Sequence, residues 1–127
     1  MQEKHLYEYS VIRVVPRVER EEFLNVGIVV FCKKAKFIKM LYTIDVAKMQ
    51  LFCGELDLEQ LQLNLESFQK IAHGSKEGGP IAQFDIPSRF RWLTALRSSA
   101  IQTSRPHPGL CDDLENKTEW LFKEMVL

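Results

Sequence analysis

The first third of the chain has the apolar pattern of β-strands. Residues 6–15 are rich in aromatic and β-branched side chains, and the run stops at Pro16. Residues 26–33 are almost entirely apolar, which is typical of a strand covered on both faces. A third apolar run follows at 37–42, and the lysine-rich residues 33–36 between the two runs predict a hairpin turn. We therefore expect sequential strands that pair in an antiparallel sheet.

The middle of the chain has the helical pattern. Asp45 is placed to cap a short helix that ends at Gly54. Asp57 and Gln60 have the spacing of a capping box, and Gly74 supplies the stop. Between them, apolar side chains recur at helical spacing at Leu58, Leu61, Leu65, Phe68 and Ala72.

The last third mixes short elements. Asp85 begins a helical segment that runs to residue 93, and residues 99–103 predict a short fourth strand. Residues 105–109 contain two prolines and a glycine, so we expect them to be irregular. Asp112 and Glu115 repeat the capping-box spacing before a final helix. Strands first and helices afterwards indicate an α+β fold in one domain over residues 1–127, a small antiparallel sheet of three to four strands with helices packed on it.

Composition and charge narrow the function classes. Seventeen basic and seventeen acidic residues give no net charge, which disfavours a nucleic-acid binder. No stretch approaches the ~20 apolar residues of a membrane-spanning helix. The first residues lack a signal-peptide pattern, and Cys32, Cys53 and Cys111 have no pairing motif. We expect a cytoplasmic protein with reduced thiols and no membrane association.

The charges are unevenly distributed. Residues 86–111 contain Arg89, Arg91, Arg97 and Arg105 with His107 and no acidic residue. Arg13 is unusual because it interrupts an apolar run, and buried arginines need a partner. Arginine presents a planar fork of donors that fits phosphate and carboxylate groups. We therefore expect one hydrated anion-binding notch beside the sheet, with the candidate residues Arg13, Arg17, Arg89, Arg91, Thr103 and His107.

A structural alternative stays open for the same residues. Arg13 could pair with Glu19, Glu21 or Glu22, with the other arginines solvated or bonded to the acidic helices. Clusters of charged residues are often structural networks of this kind, so the structural interpretation is favoured over an anion-binding site.

Catalytic and metal chemistry find little support in the residue pattern. Cys111 precedes the last helix and lies four residues from His107, so a cysteine–histidine nucleophile pair is conceivable. Free cysteine is more often a small buried hydrophobe. No ligand pair has local zinc spacing, so we expect no metal and no cofactor.

Several stretches resemble a known bacterial family, domain of unknown function 3037. The resemblance rests on residues 9–17 and 20–27, and in the second half on residues 89–95, 101–104 and 107–111. It implies a small cytoplasmic protein without an assigned activity. Members tend to be encoded beside a HipA-like protein kinase, which implies a partner role through gene neighbourhood alone. The family pattern includes the candidate anion-binding residues together with Glu21 and Asn25, which we interpret as structural polar residues.

Two hypotheses follow. The first is a binding or regulatory module whose arginine notch holds an anionic group on a partner protein or a small ligand. The second is a hydrolase or transferase that acts on a phosphate or carboxylate ester, with His107 as the acid/base. A homodimer through an exposed strand edge or the apolar end of the last helix is compatible with either.

Overall fold

The sheet has five antiparallel strands. A computed structural model describes residues 4–55, 57–95 and 99–127, with all side chains in these ranges except that of Val18. The strands are β1 (His5–Val14), β2 (Leu24–Cys32), β3 (Phe37–Tyr42), β4 (Ile101–Thr103) and β5 (His107–Cys111). Their order is β3-β2-β1-β4, and β5 pairs with β1 beside β4. The α+β class is confirmed, but the prediction of three to four strands is wrong, because residues 107–111 form a fifth.

The fifth strand includes three residues that the sequence placed in an irregular loop, His107, Pro108 and Gly109. Pro108 lies on the outer edge of the sheet, where a residue without an N–H is tolerated. Gly109 lies opposite Tyr7, whose ring occupies the space where a Cβ on Gly109 would stand. Ser104 joins β4 to β5 by donating its N–H to the Val11 carbonyl and accepting the Val11 N–H on Oγ at 2.9 Å. The tertiary partner β1 therefore orders a segment that its own propensity would leave irregular.

In the described part of the chain, four α-helices complete the fold. They are α1 (Val46–Phe52), α2 (Leu58–Ala72), α3 (Ile86–Leu93) and α4 (Leu114–Met125). Each begins after an aspartate whose side chain accepts a backbone N–H three residues later, at Asp45, Asp57, Asp85 and Asp113. The predicted cap of the last helix at Asp112 is wrong by one residue, because Asp113 accepts the Asn116 N–H at 3.1 Å. No helix in the described ranges is both long and apolar enough to cross a membrane.

The helices cover both faces of the sheet. Along β2, Val29 and Phe31 belong to the core under α2 and α3, whereas Ile28 and Val30 belong to the core under α4. This alternation follows from the two-residue repeat of a strand. We call these two sides the α2/α3 face and the α4 face. The prediction that the second strand is covered on both faces is confirmed.

The edge strand β3 is covered by side chains of α2. The Gln69 amide donates to the Met40 carbonyl at 3.0 Å, and the Met40 N–H donates to Nε2 of His73 at 3.2 Å. Residues four positions apart lie on one face of a helix, so both can reach the same strand residue. The two bonds satisfy backbone groups that an edge strand would otherwise leave available for pairing.

Candidate functional site

Arg13 is the most unusual charged residue of the sheet. It lies near the end of β1, directly opposite Asn25 of β2 and Gln102 of β4, beside a bulge between Ile12 and Arg13. Its guanidinium carbon stands 4.0 Å from the centroid of the Phe23 ring. Such a cation–π contact contributes about 0.5–1 kcal/mol at an exposed site. The Phe23 ring thus packs against the guanidinium of Arg13.

The charge of Arg13 lacks a carboxylate partner within the described part of the chain. The alternative in which it pairs with Glu19 or Glu22 is wrong, because those carboxylates bond Arg17 at 3.2 Å and Arg20 at 2.7 Å. Burial lowers the pKa of the Arg13 guanidinium, although arginine stays protonated in proteins. Its Nε is buried and makes no hydrogen bond. An unsatisfied buried donor costs about 1–3 kcal/mol, so an acceptor at this position would be stabilised.

His107 is the first residue of β5, and its side chain lies on the same face of the sheet as that of Arg13. It pairs with Tyr9, and the two rings are 5.3 Å apart between centroids. Tyr9, Val11 and Arg13 are alternate residues of one strand and therefore share a face. Four residues of extended chain separate Arg13 from Tyr9 by about 13 Å. We call the strip of Arg13, Phe23, Val11, Tyr9 and His107 the Arg13 strip.

The other predicted anion-binding residues do not join this strip. Thr103 pairs with Ile12, whose side chain belongs to the α2/α3 core, so Thr103 lies on the opposite face from Arg13. Arg89 is also on that side: it is buried in α3, and its guanidinium lies against Gly74 after the end of α2. Arg91 is exposed on α3. The expectation of one shared notch is therefore wrong for these residues.

Two further arginines complete the comparison. Arg17 is exposed in the segment after β1, where its Nε donates to Glu19 at 3.2 Å. Arg97, part of the acid-free stretch, lies outside the described residues.

Asn25 and Glu21 differ in their contacts. The Asn25 amide donates to the Met125 carbonyl at 3.1 Å, which ties β2 to the end of α4. Its Oδ1 is buried without a hydrogen bond. Asn25 is the direct cross-strand partner of Arg13, whose Nε is also buried without a hydrogen bond. Glu21 is exposed and has a positive φ of 56° between the segment 18–20 and β2. Asn25 thus lies beside the Arg13 strip and connects β2 to the end of α4.

The thiol chemistry considered for Cys111 does not fit its surroundings. Cys111 is buried in the core under α4, and burial raises the pKa of its thiol. A raised pKa reduces the thiolate fraction that a nucleophile needs. Among the described residues, no group of three histidine, cysteine, aspartate or glutamate side chains could hold a metal ion.

Sequence reasoning missed the residues that shape the site. Phe23 carries the guanidinium, and Gln102 pairs with Arg13 from the other side. The sequence offered only a weak signal for Phe23, an aromatic residue ten positions after an arginine that interrupts an apolar run. Gln102 had no such signal, because its position depends on the pairing of β4 with β1.

The fold and the strip define a small α+β protein with an arginine on one face of an antiparallel sheet that has no carboxylate partner among the described residues. Residues 9–126 match the family described as "Protein of unknown function (DUF3037)", and the chain belongs to that family. Comparisons with curated proteins and with solved structures give no match.

Proposed function

We propose that the protein is a binding module in which Arg13 holds a phosphate or carboxylate group of a ligand. The observation that carries the proposal is the buried, unpartnered Nε of a guanidinium that has no carboxylate partner within the described ranges. A charged donor in this position gains more from an anion than from water, because Phe23 and the strand exclude solvent from one side. The anion-binding set proposed here centres on Arg13, with His107 on the same strip.

His107 and Tyr9 extend the strip toward the other end of β1. Their packed rings, tilted by 36° to each other, offer an aromatic surface about 13 Å from Arg13. This arrangement suits a ligand that carries an anionic group at one end and an apolar or aromatic group at the other. An anionic segment of a partner protein meets this description, and a HipA-like kinase is the partner that the family resemblance implies.

The alternative of an ester hydrolase with His107 as acid/base has no observation in its favour. The ring of His107 packs on Tyr9, and the Cys111 thiol, four residues along the same strand, is buried with a raised pKa. Catalysis would require a nucleophile or an activated water near His107. We therefore place the binding function first.

The test uses inorganic phosphate as the probe. Thermal unfolding of the full chain is followed in sodium phosphate and in sodium chloride at matched ionic strength. A ligand present at ten times its Kd stabilises the folded state by about 1.4 kcal/mol. We expect phosphate to raise the Tm of the unaltered protein and to leave the Tm of Arg13→Met unchanged, because methionine keeps the packing on Phe23 without the charge.

Arg17→Met is the matched control, because Arg17 is exposed and already bonded to Glu19. It should respond to phosphate as the unaltered protein does. Arg13→Lys keeps the charge but loses the fork of donors, so its response should be reduced. An equal phosphate response in Arg13→Met, or no response in the unaltered protein, would overturn the proposal.

A further inference from the structure

A groove with a basic lining lies at the start of β1, at the other end of the strand from Arg13. It has a volume of about 730 Å³. That size falls within the range of sites that accept a ligand or several side chains. Its lining comes from the beginning of β1 and from the β2–β3 turn: Lys4, His5, Leu6, Lys33, Lys34 and Ala35. We call it the hairpin groove.

Among the residues that the structure describes, the lining contains three lysines and no carboxylate. Lys4 bonds Asp112 at 2.9 Å on the rim, an exposed pair that contributes little to stability. Lys33 makes no ion pair with any other described residue, and neither does Lys36, the last residue of the same turn. Lys33 in the groove and Lys36 beside it therefore present positive charge that a ligand with carboxylates would complement.

An apolar pair lies beside these lysines. Leu6 and Leu110 are direct cross-strand partners, and their side chains are 65% and 62% exposed. They lie on the α2/α3 face, beyond the reach of the helices that bury Ile12 and Val14 on that face. Two adjacent exposed leucines form a larger continuous apolar patch than a single exposed leucine on a protein surface.

We propose that the hairpin groove binds an acidic segment of a partner protein that also carries a large apolar side chain. The carboxylates of the segment would lie against Lys33 in the groove and Lys36 at the end of the adjoining turn, and its apolar side chain would cover Leu6 in the groove and Leu110 beside it. The charge selects an acidic ligand, and the leucines select a protein segment over a polyphosphate chain, because phosphates gain nothing from an apolar floor. The proposal is independent of Arg13, because the two surfaces lie at opposite ends of β1.

The probe is a synthetic twelve-residue peptide of alternating glutamate and leucine. Binding to the full chain is measured by fluorescence anisotropy at low and at physiological salt. We expect saturable binding that weakens as salt rises, since part of the attraction is screened. A peptide with alanine in place of leucine should bind at least tenfold more weakly.

Two pairs of charge reversals locate the site. Lys33→Glu with Lys36→Glu should weaken binding of the glutamate–leucine peptide at least tenfold. Lys48→Glu with Lys123→Glu is the matched control, because both are exposed lysines on α1 and α4, outside the groove and the β2–β3 turn, and it should leave the affinity unchanged. Leu6→Ser tests the apolar floor without changing the charge and should also weaken binding.

Three outcomes would overturn the proposal. One is equal binding of the alanine and leucine peptides. Another is unchanged affinity in the Lys33→Glu, Lys36→Glu variant when its circular dichroism shows an intact fold. The third is tighter binding of a single-stranded oligonucleotide or of phosphatidylserine vesicles than of the peptide, which would assign the groove to those ligands.

Discussion

The contact between His73 and the edge of β3 makes a pH-dependent prediction. The Met40 N–H donates to Nε2 of His73, so this nitrogen has to be unprotonated. Burial lowers the pKa of His73 in the folded protein, and the charges of Lys39 and Arg89 lower it further. The unfolded chain therefore binds a proton more readily than the folded one as the pH falls.

The sign follows from proton linkage. The stabilisation by neutral His73 is complete above the ordinary histidine pKa of about 6.5, and it is lost as the pH falls through the lower pKa of the folded state. A single proton limits the slope to about 1.4 kcal/mol per pH unit. Met40 is fully buried, so loss of its partner leaves an unsatisfied N–H that costs about 1–3 kcal/mol. We expect a cost near 1 kcal/mol, because His73 itself is exposed on its outer side.

Urea unfolding between pH 5 and pH 8 measures this effect. His73→Leu should be about 1 kcal/mol less stable than the unaltered protein at pH 8, with a smaller difference at pH 5. His73→Gln offers an oxygen acceptor that does not titrate, so it should flatten the pH dependence at a smaller cost. Gln69→Leu is the control, because it removes the neighbouring bond to Met40 and should destabilise equally at every pH. A His73→Gln variant with the unaltered pH dependence would refute this reasoning.

Two further predictions concern β4 and β5. Ser104→Ala removes the acceptor of the Val11 N–H and should lower the free energy of unfolding by about 1–3 kcal/mol. The Val11 amide should then exchange its hydrogen faster, and an unchanged exchange rate would contradict this role. Gly109→Ala places a Cβ against the Tyr7 ring and should cost about 1–3 kcal/mol in urea unfolding. Gly54→Ala is its control, because a Cβ there meets only the Gln50 carbonyl oxygen at 3.6 Å, and a Gly109→Ala variant as stable as this control would show that the ring moves freely.

Local patterns were sufficient for most of the secondary structure. The aspartates at positions 45, 57 and 85 cap helices at the positions where the sequence predicted a helix to begin, because an N-cap depends on residues within one turn. The continuous apolar run of the second strand correctly indicated cover on both faces, since every side chain there had to avoid water. The cap of the last helix was misplaced because two consecutive aspartates satisfy the same rule within one residue.

The fifth strand and the grouping of the arginines depended on tertiary contacts. Residues 107–111 have poor strand propensity, and they become a strand because β1 supplies the hydrogen-bond partners from about a hundred residues away. The sequence shows that the candidates Arg13, Thr103 and Arg89 are charged or polar, but not which face of the sheet each one occupies. The face on which each one lies is set by register, because a shift of one residue moves a side chain to the other side of the sheet.

The amino-acid sequence by itself determined the α+β class, most helix boundaries and the family to which the chain belongs. Only the tertiary structure decided that Arg13 stands on Phe23 without a carboxylate partner in the described ranges, and that Arg89 lies on the other side of the sheet. The physical reason is that caps and strand runs are short-range properties of the chain. The surroundings of a charge depend on strand pairing and helix packing between residues that are distant in the sequence.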